Sequence, residues 1–126
     1  MINNFLKDIS EIYIACGATD FRKQIDSLCN IIRNEFNLNA NQNTCAFIFC
    51  NRRRNSIKVL CYDKNGFILL QKKLLNCNNM KFQWPRNKKE IKNINQKQLS
   101  WLLEGLKLEY EKSFDEINLN EQKMVI

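Results

Sequence analysis

A chain of 126 residues, 44% hydrophobic and 26% charged, fits one globular domain with a real core. It carries a formal charge of +7 and no histidine, and no window approaches the roughly 18 uninterrupted apolar residues of a membrane span. The lack of histidine removes Cys2His2 and HExxH zinc sites, the Ser-His and Cys-His nucleophile pairs and the commonest general base.

In chain order, Met1 to Asp8 lacks the basic start and apolar run of a signal peptide, so a soluble, cytoplasmic protein is expected. Residues 1–11 read as a short irregular lead or edge segment. A strand spans about 11–16, and a helix about 20–36, with Asp20 or Thr19 as its N-cap. Its apolar residues Phe21, Ile25, Leu28, Cys29, Ile32 and Phe36 fall on one helical face. The Asn-rich segment 37–44 reads as a loop. Cys45 to Cys50 (CAFIFC) is a continuous apolar run, short enough for a buried strand.

Ile57 to Tyr62 and Phe67 to Leu75 flank Asp63-Lys64-Asn65-Gly66, where Asn65-Gly66 signals a β-hairpin. In its first arm Ile57, Val59 and Cys61 point one way and Lys58, Leu60 and Tyr62 the other. After a loop at 76–80, Lys81 to Trp84 reads as a fourth strand ended by Pro85, and Lys88 to Ile94 adds a further short strand at most. A second helix spans about 95–110, capped by Asn95, with Leu99, Leu102, Leu103 and Leu106 as its stripe and Trp101 to one side. The expectation is a single α+β domain over 1–111. It has a mainly antiparallel sheet of about four strands with a hairpin, packed by two helices, and a polar, acidic, loose tail over 112–126.

Six cysteines, at 16, 29, 45, 50, 61 and 77, include no CxxC and sit mostly in apolar runs, so they read as small reduced hydrophobes. Abundant Asn and Lys match what an AT-rich genome encodes, and most Asn is discounted as drift. Arg52-Arg53-Arg54 resists that discount, because such drift replaces Arg with Lys. The charge is uneven. Residues 51–92 hold twelve Lys/Arg against Asp63 and Glu90, whereas 104–126 hold three Lys against six acids. A basic middle points to a polyanionic partner.

The blocks IYIACGATDFRK, FIFCNRRRNSIKVLCYDKNGFILLQKKL, KFQWP and QLSWLLEGL, in that order and spacing, resemble the TnpB accessory (Orf2-like) proteins of the insertion-sequence-sixty-six transposable elements. The resemblance covers about Ile12 to Leu106. It implies a role in moving a mobile element beside a separately encoded transposase, with no catalytic residues, metal or cofactor to carry over. The family's Asp-hydrophobic-Arg-Lys block is matched by Asp20 to Lys23, its basic run by Arg52, Arg53, Arg54 and Lys58, its hairpin glycine by Gly66, and its aromatic-Pro pair by Trp84 and Pro85. Departures include Gln24 and Ser27, where small residues are usual, and Cys61, where an aromatic is common.

Four candidate sites follow. At Gly17 to Lys23, a helix N-terminus with Arg22 and Lys23 beside it would hold a phosphate; alternatively Arg22 pairs with Asp26 and Lys23 is solvated. Arg52, Arg53 and Arg54 with Lys58 suit phosphate contacts or guanine edges, or else form a solvated turn or protein-binding patch. Phe82, Trp84 and Arg86, with Tyr62, would stack bases, or else the aromatics belong to the core. Trp101 and the acidic tail would dock a basic protein such as a transposase subunit. Asp8, Asp20, Asp26 and Asp63 are too scattered for a two-metal carboxylate centre. The function expected is a non-catalytic accessory protein for DNA transposition that binds element ends through a basic patch. The alternative is an adaptor that docks the transposase without touching DNA.

Overall fold

The computed structural model describes residues 2–75, 80–86 and 89–104. The CAFIFC run shows how the chain is organised. Cys45–Cys50 forms β2, and all six of its side chains are buried, because the strand lies inside the sheet and is covered on both faces. Its alternate residues feed two cores. Ala46, Ile48 and Cys50 face one, and Cys45, Phe47 and Phe49 face the other.

Around β2 the sheet has the order β4-β3-β2-β1-β5, with β1 at Glu11–Ala15, β3 at Ser56–Asp63, β4 at Gly66–Lys73 and β5 at Ile91–Ile94. β1 and β2 pair in parallel, and the other three pairings are antiparallel. The fold is thus α+β with a mainly antiparallel sheet, of five strands where four were expected. The fifth is the short segment at 91–94. Lys81 to Trp84, read above as a strand, is irregular: the Phe82 amide bonds the Arg54 carbonyl at 2.7 Å, and both aromatics turn into the core.

Among the described residues, three helices accompany the sheet. α1, Ile2–Phe5, is a single turn where an irregular lead was expected. α2, Ile25–Phe36, connects β1 to β2 and packs Leu28 and Ile32 against Phe47, Phe49 and Leu60. It ends with Asn37 in the left-handed conformation at φ 54°, whose amide returns to the Arg33 carbonyl. α3, Gln96–Leu103, buries Leu99 and Leu102 on the opposite core. Asn95 caps it as expected, and Gln98 completes a reciprocal capping box. The rest of the expected second helix, 105–110, and the expected tail lie outside the described residues.

The first helix starts later than its apolar spacing implies. Asp20 and Thr19 do not cap it; Gln24 is the N-cap, with no side-chain bond. Asp20 instead accepts the Arg22 amide at 2.9 Å in a local turn, and the Thr19 amide bonds the Cys50 carbonyl at 2.9 Å. A short carboxylate that bonds the backbone two residues on competes with helix formation. Arg22 and Lys23 therefore precede the helix instead of opposing its dipole.

The hairpin also differs in detail. Gly66 pairs with Asp63 as the first residue of β4, and Lys64 takes the left-handed position at φ 55°. A Cβ at Gly66 would meet nothing within 4 Å. Gly66→Ala should therefore change stability by no more than about 0.5 kcal/mol. Lys64→Gly relieves a left-handed penalty of roughly 1–2 kcal/mol at some entropic cost, so a net gain of up to about 1 kcal/mol is expected. Urea midpoints of the two variants check both.

Candidate nucleic-acid interface

Because β1 and β2 are parallel, the loops leaving Ala15 and Cys50 emerge at the same end of the sheet. Register adds the neighbours. Ile91, the start of β5, lies opposite Ala15, and Ser56 lies opposite Lys73 at the end of β4. The loops are joined to one another by main-chain bonds. Cys16 N–H donates to Glu90, Gly17 to Pro85, Thr19 to Cys50, Phe82 to Arg54 and Leu74 to Asn55, all between 2.7 and 2.9 Å. Gly17 is buried at φ 85°, and a Cβ there would come within 3.4 Å of Lys89 Cγ. Its part, like that of Pro85, is to hold two loops together.

This end gathers cations from four stretches of sequence: Arg22 and Lys23, then Arg52, Arg53 and Arg54, then Lys72 and Lys73, then Lys81, Arg86 and Lys89. The described acids beside them are Asp20, Glu90 and Glu104, and Glu35 reaches in from α2 to pair with Lys89 at 3.4 Å. Arg22 pairs with Asp20 at the surface: its Nε donates to both Asp20 oxygens at 3.0 Å and its Nη2 to Oδ2 at 2.6 Å. Hydrogen bonding from that guanidinium keeps the Asp20 carboxyl well below the usual carboxylate range. The expected alternative partner, Asp26, is not used. Beside this turn a cleft of about 200 Å3 opens between Thr19, Asp20, Lys23, Glu35 and Lys89.

The arginine turn is built by two asparagines, Asn51 and Asn55, a residue type whose abundance is read above mostly as drift. Asn51 Oδ1 accepts the amides of Asn55 at 3.0 Å and Ser56 at 3.1 Å, and Asn51 Nδ2 donates to Asn55 Oδ1 at 2.6 Å. The Arg54 amide closes the turn on the Asn51 carbonyl, with Arg54 left-handed at φ 59°. Arg52 and Arg53 are exposed at its tip, and Arg54 is half-buried. The signal in the sequence was the pair of asparagines bracketing the arginines, residues that bond their own backbone in turns.

Two expected contacts are not available at the surface. Lys58 is 2% exposed on the α2 side of β3, and its Nζ donates to the carbonyls of Phe21 at 3.0 Å and Lys23 at 2.8 Å. Burial lowers its pKa, opposed by the charge of Asp20. Lys58 thus anchors the segment that presents Arg22 and Lys23. Trp84 is 4% exposed, and its Nε1 donates to the Ala15 carbonyl at 2.9 Å, so it cannot stack on a base. Phe82 is fully buried, as the core alternative had it. Tyr62 lies six residues along β3 from Ser56, about 20 Å away, with its hydroxyl on the Lys64 carbonyl and its ring edge-on to Phe67. Arg86 alone of that group is exposed at the basic end. Trp101 is half-buried under Lys97, whose Nζ is 5.5 Å from the ring centre.

The cysteines serve the core. Of the five described, four are buried, and burial pushes the Cys50 thiol up to about 12 and that of Cys61 to about 11. Cys61 faces the core, so an aromatic in its place would not reach a base either. Among the described residues, no group of three Cys, Asp or Glu side chains is arranged to hold a metal ion, and no helix is long and apolar enough to cross a membrane.

The IS66 Orf2-like protein family matches residues 10–113, from just before β1 to beyond α3. The chain belongs to the IS66 Orf2-like family. The match spans the whole sheet and every cation of the basic end, and leaves only α1 ahead of it. Membership ties this IS66 Orf2-like protein to an accessory role associated with transposition. No curated protein and no solved structure matches the chain.

Proposed function

We propose that this IS66 Orf2-like protein is a non-catalytic accessory factor that binds the DNA of element ends through the basic end of its sheet and assists a separate transposase. The observation that carries the reading is the convergence of Arg22, Lys23, Arg52, Arg53, Arg54 and Arg86 on one end of the sheet, on loops fastened to one another. A concentrated field of one sign attracts a polyanion, and each phosphate it neutralises releases counterions. Arg22, paired with Asp20, and Lys23 serve as backbone contacts. The exposure of Arg52 and Arg53 at the tip of a turn supports contacts with base edges. Lys58 and Trp84 support this surface from beneath.

The test is a titration of the protein against duplex from the element's terminal repeat and against a scrambled duplex, at several salt concentrations. Affinity should fall steeply with salt. Arg52→Ala/Arg53→Ala, which leaves Arg54 and the turn in place, should flatten the log–log slope by about 2 and weaken binding roughly tenfold or more. Preference for the terminal repeat makes the protein an end-recognition factor. Absence of binding even at low salt would overturn the DNA reading in favour of an adaptor that docks an acidic face of the transposase.

A further inference from the structure

Among the described residues, two of the three large apolar side chains standing in solvent share one groove: Leu75, 75% exposed, and Met80, 47% exposed. The groove has a volume of about 470 Å3, with Leu74, Phe82 and Leu103 in its floor and Lys72, Lys73 and Lys81 on its rim. α3 runs into it. Leu103 lines it, the Leu103 carbonyl accepts from Lys72 Nζ at 3.5 Å, and Glu104 is at its mouth. Everything after Glu104 therefore starts from the edge of an apolar groove with a cationic rim.

The sequence of residues 105–126 is complementary to it. Leu106, Tyr110, Phe114 and Ile117 recur at i, i+4, i+8 and i+11, the spacing of one helical face. Five acids, at 109, 111, 115, 116 and 121, outnumber the three lysines of the same stretch. We propose that this segment docks in the groove, its apolar face on Leu75 and Met80 and its carboxylates against Lys72, Lys73 and Lys81. Tethering favours this occupant over any other. A segment joined directly to the groove sees it at an effective concentration on the order of millimolar, so a site too weak to hold a free peptide is still filled. The docking does not depend on DNA binding, although it brings carboxylates to lysines that border the basic end.

Hydrogen exchange of the full chain, without DNA, tests the docking. Amides of 106–117 should exchange at least tenfold more slowly than an unstructured chain. Leu75→Glu/Met80→Glu, at two exposed positions, should abolish that protection while β2 and β3 exchange as before. The reciprocal variant, Phe114→Glu/Ile117→Glu, leaves the groove residues untouched and should speed peroxide oxidation of Met80 at least fivefold; this arm decides the matter if the groove variant alters β2 or β3. No protection in the parent chain, protection unchanged by the groove variant, or equal oxidation rates would overturn the proposal. Protection that grows with protein concentration would also overturn it, and would assign the groove to a second copy.

Discussion

Trp84→Ala should lower the stability of the protein by about 3–5 kcal/mol, the cost of removing a large buried ring whose site does not fully collapse. The ring is 4% exposed in the core beneath α3, and its Nε1 is bonded to the Ala15 carbonyl at the end of β1. Trp84→Phe separates the two contributions. It keeps most of the apolar area and leaves that carbonyl without its donor, so about 1–3 kcal/mol is expected. Urea unfolding of both variants measures this. DNA titration of Trp84→Phe, under conditions where it remains folded, should match the parent protein. A stacking residue would behave in the opposite way, losing roughly 1–3 kcal/mol of binding on truncation with little change in stability.

The second large effect is at Lys58. Lys58→Ala removes the only described side-chain donor to the carbonyls of Phe21 and Lys23 and empties the space filled by its stem; a loss of about 3–5 kcal/mol is expected, as when one partner of a buried polar network is deleted. Lys58→Met keeps the stem against the Phe21 ring, over which the ammonium sits at 4.9 Å, and should cost about 1–3 kcal/mol.

The pH dependence has a definite sign. Burial holds the Lys58 pKa below its ordinary 10.5, so the folded chain gives up this proton before the unfolded chain does. The contribution is a penalty at neutral pH. It is relieved as pH rises through the lowered value towards 10.5, so it raises stability across that window. The buried thiols act oppositely, because their raised values cost stability above 9.0, where an unfolded thiol ionises. They are common to both chains and cancel. The stability of the parent minus that of Lys58→Met, followed by urea unfolding from pH 8 to 11, should therefore increase with pH. A flat or falling difference would show that the ammonium is not buried. The Lys58→Met salt slope for DNA should equal that of the parent, because Lys58 has no path to a phosphate.

How much of this was legible in the sequence depends on the range of the interaction involved. CAFIFC gave away its burial because a strand covered on both faces needs no polar residue. The alternation of Ile57, Val59 and Cys61 with Lys58 and Leu60 was also correct, but alternation alone does not say whether the second face is covered, and Lys58 was grouped with Arg52, Arg53 and Arg54 as a phosphate contact. α2 packs that second face. Asn95 announced its helix because a cap is a local bond. Asp20 sent the same signal and spent its carboxylate on Arg22 instead, a choice between two local bonds that propensity does not decide. Lys81 to Trp84 had the composition of a strand, but the place beside β1 was taken by Ile91–Ile94. The candidate cations were identified one cluster at a time. What could not be read was their meeting, since the parallel pairing of β1 with β2 joins residues 22 and 52 across the whole of α2.

The main-chain bonds that tie the loops at the basic end have a consequence for how such a protein changes over time. Bonds from Thr19 to Cys50, Gly17 to Pro85 and Phe82 to Arg54 use amides and carbonyls, which every substitution other than proline preserves. The shape of this surface is therefore largely independent of the letters at Arg22, Arg52, Arg53 and Arg86. Those exposed side chains can be rewritten one at a time while the frame that presents them is kept. The positions that cannot be rewritten as freely are Lys58 and Trp84, which are buried, Asn51, whose side chain builds the arginine turn, and Gly17, whose φ of 85° disfavours a side chain.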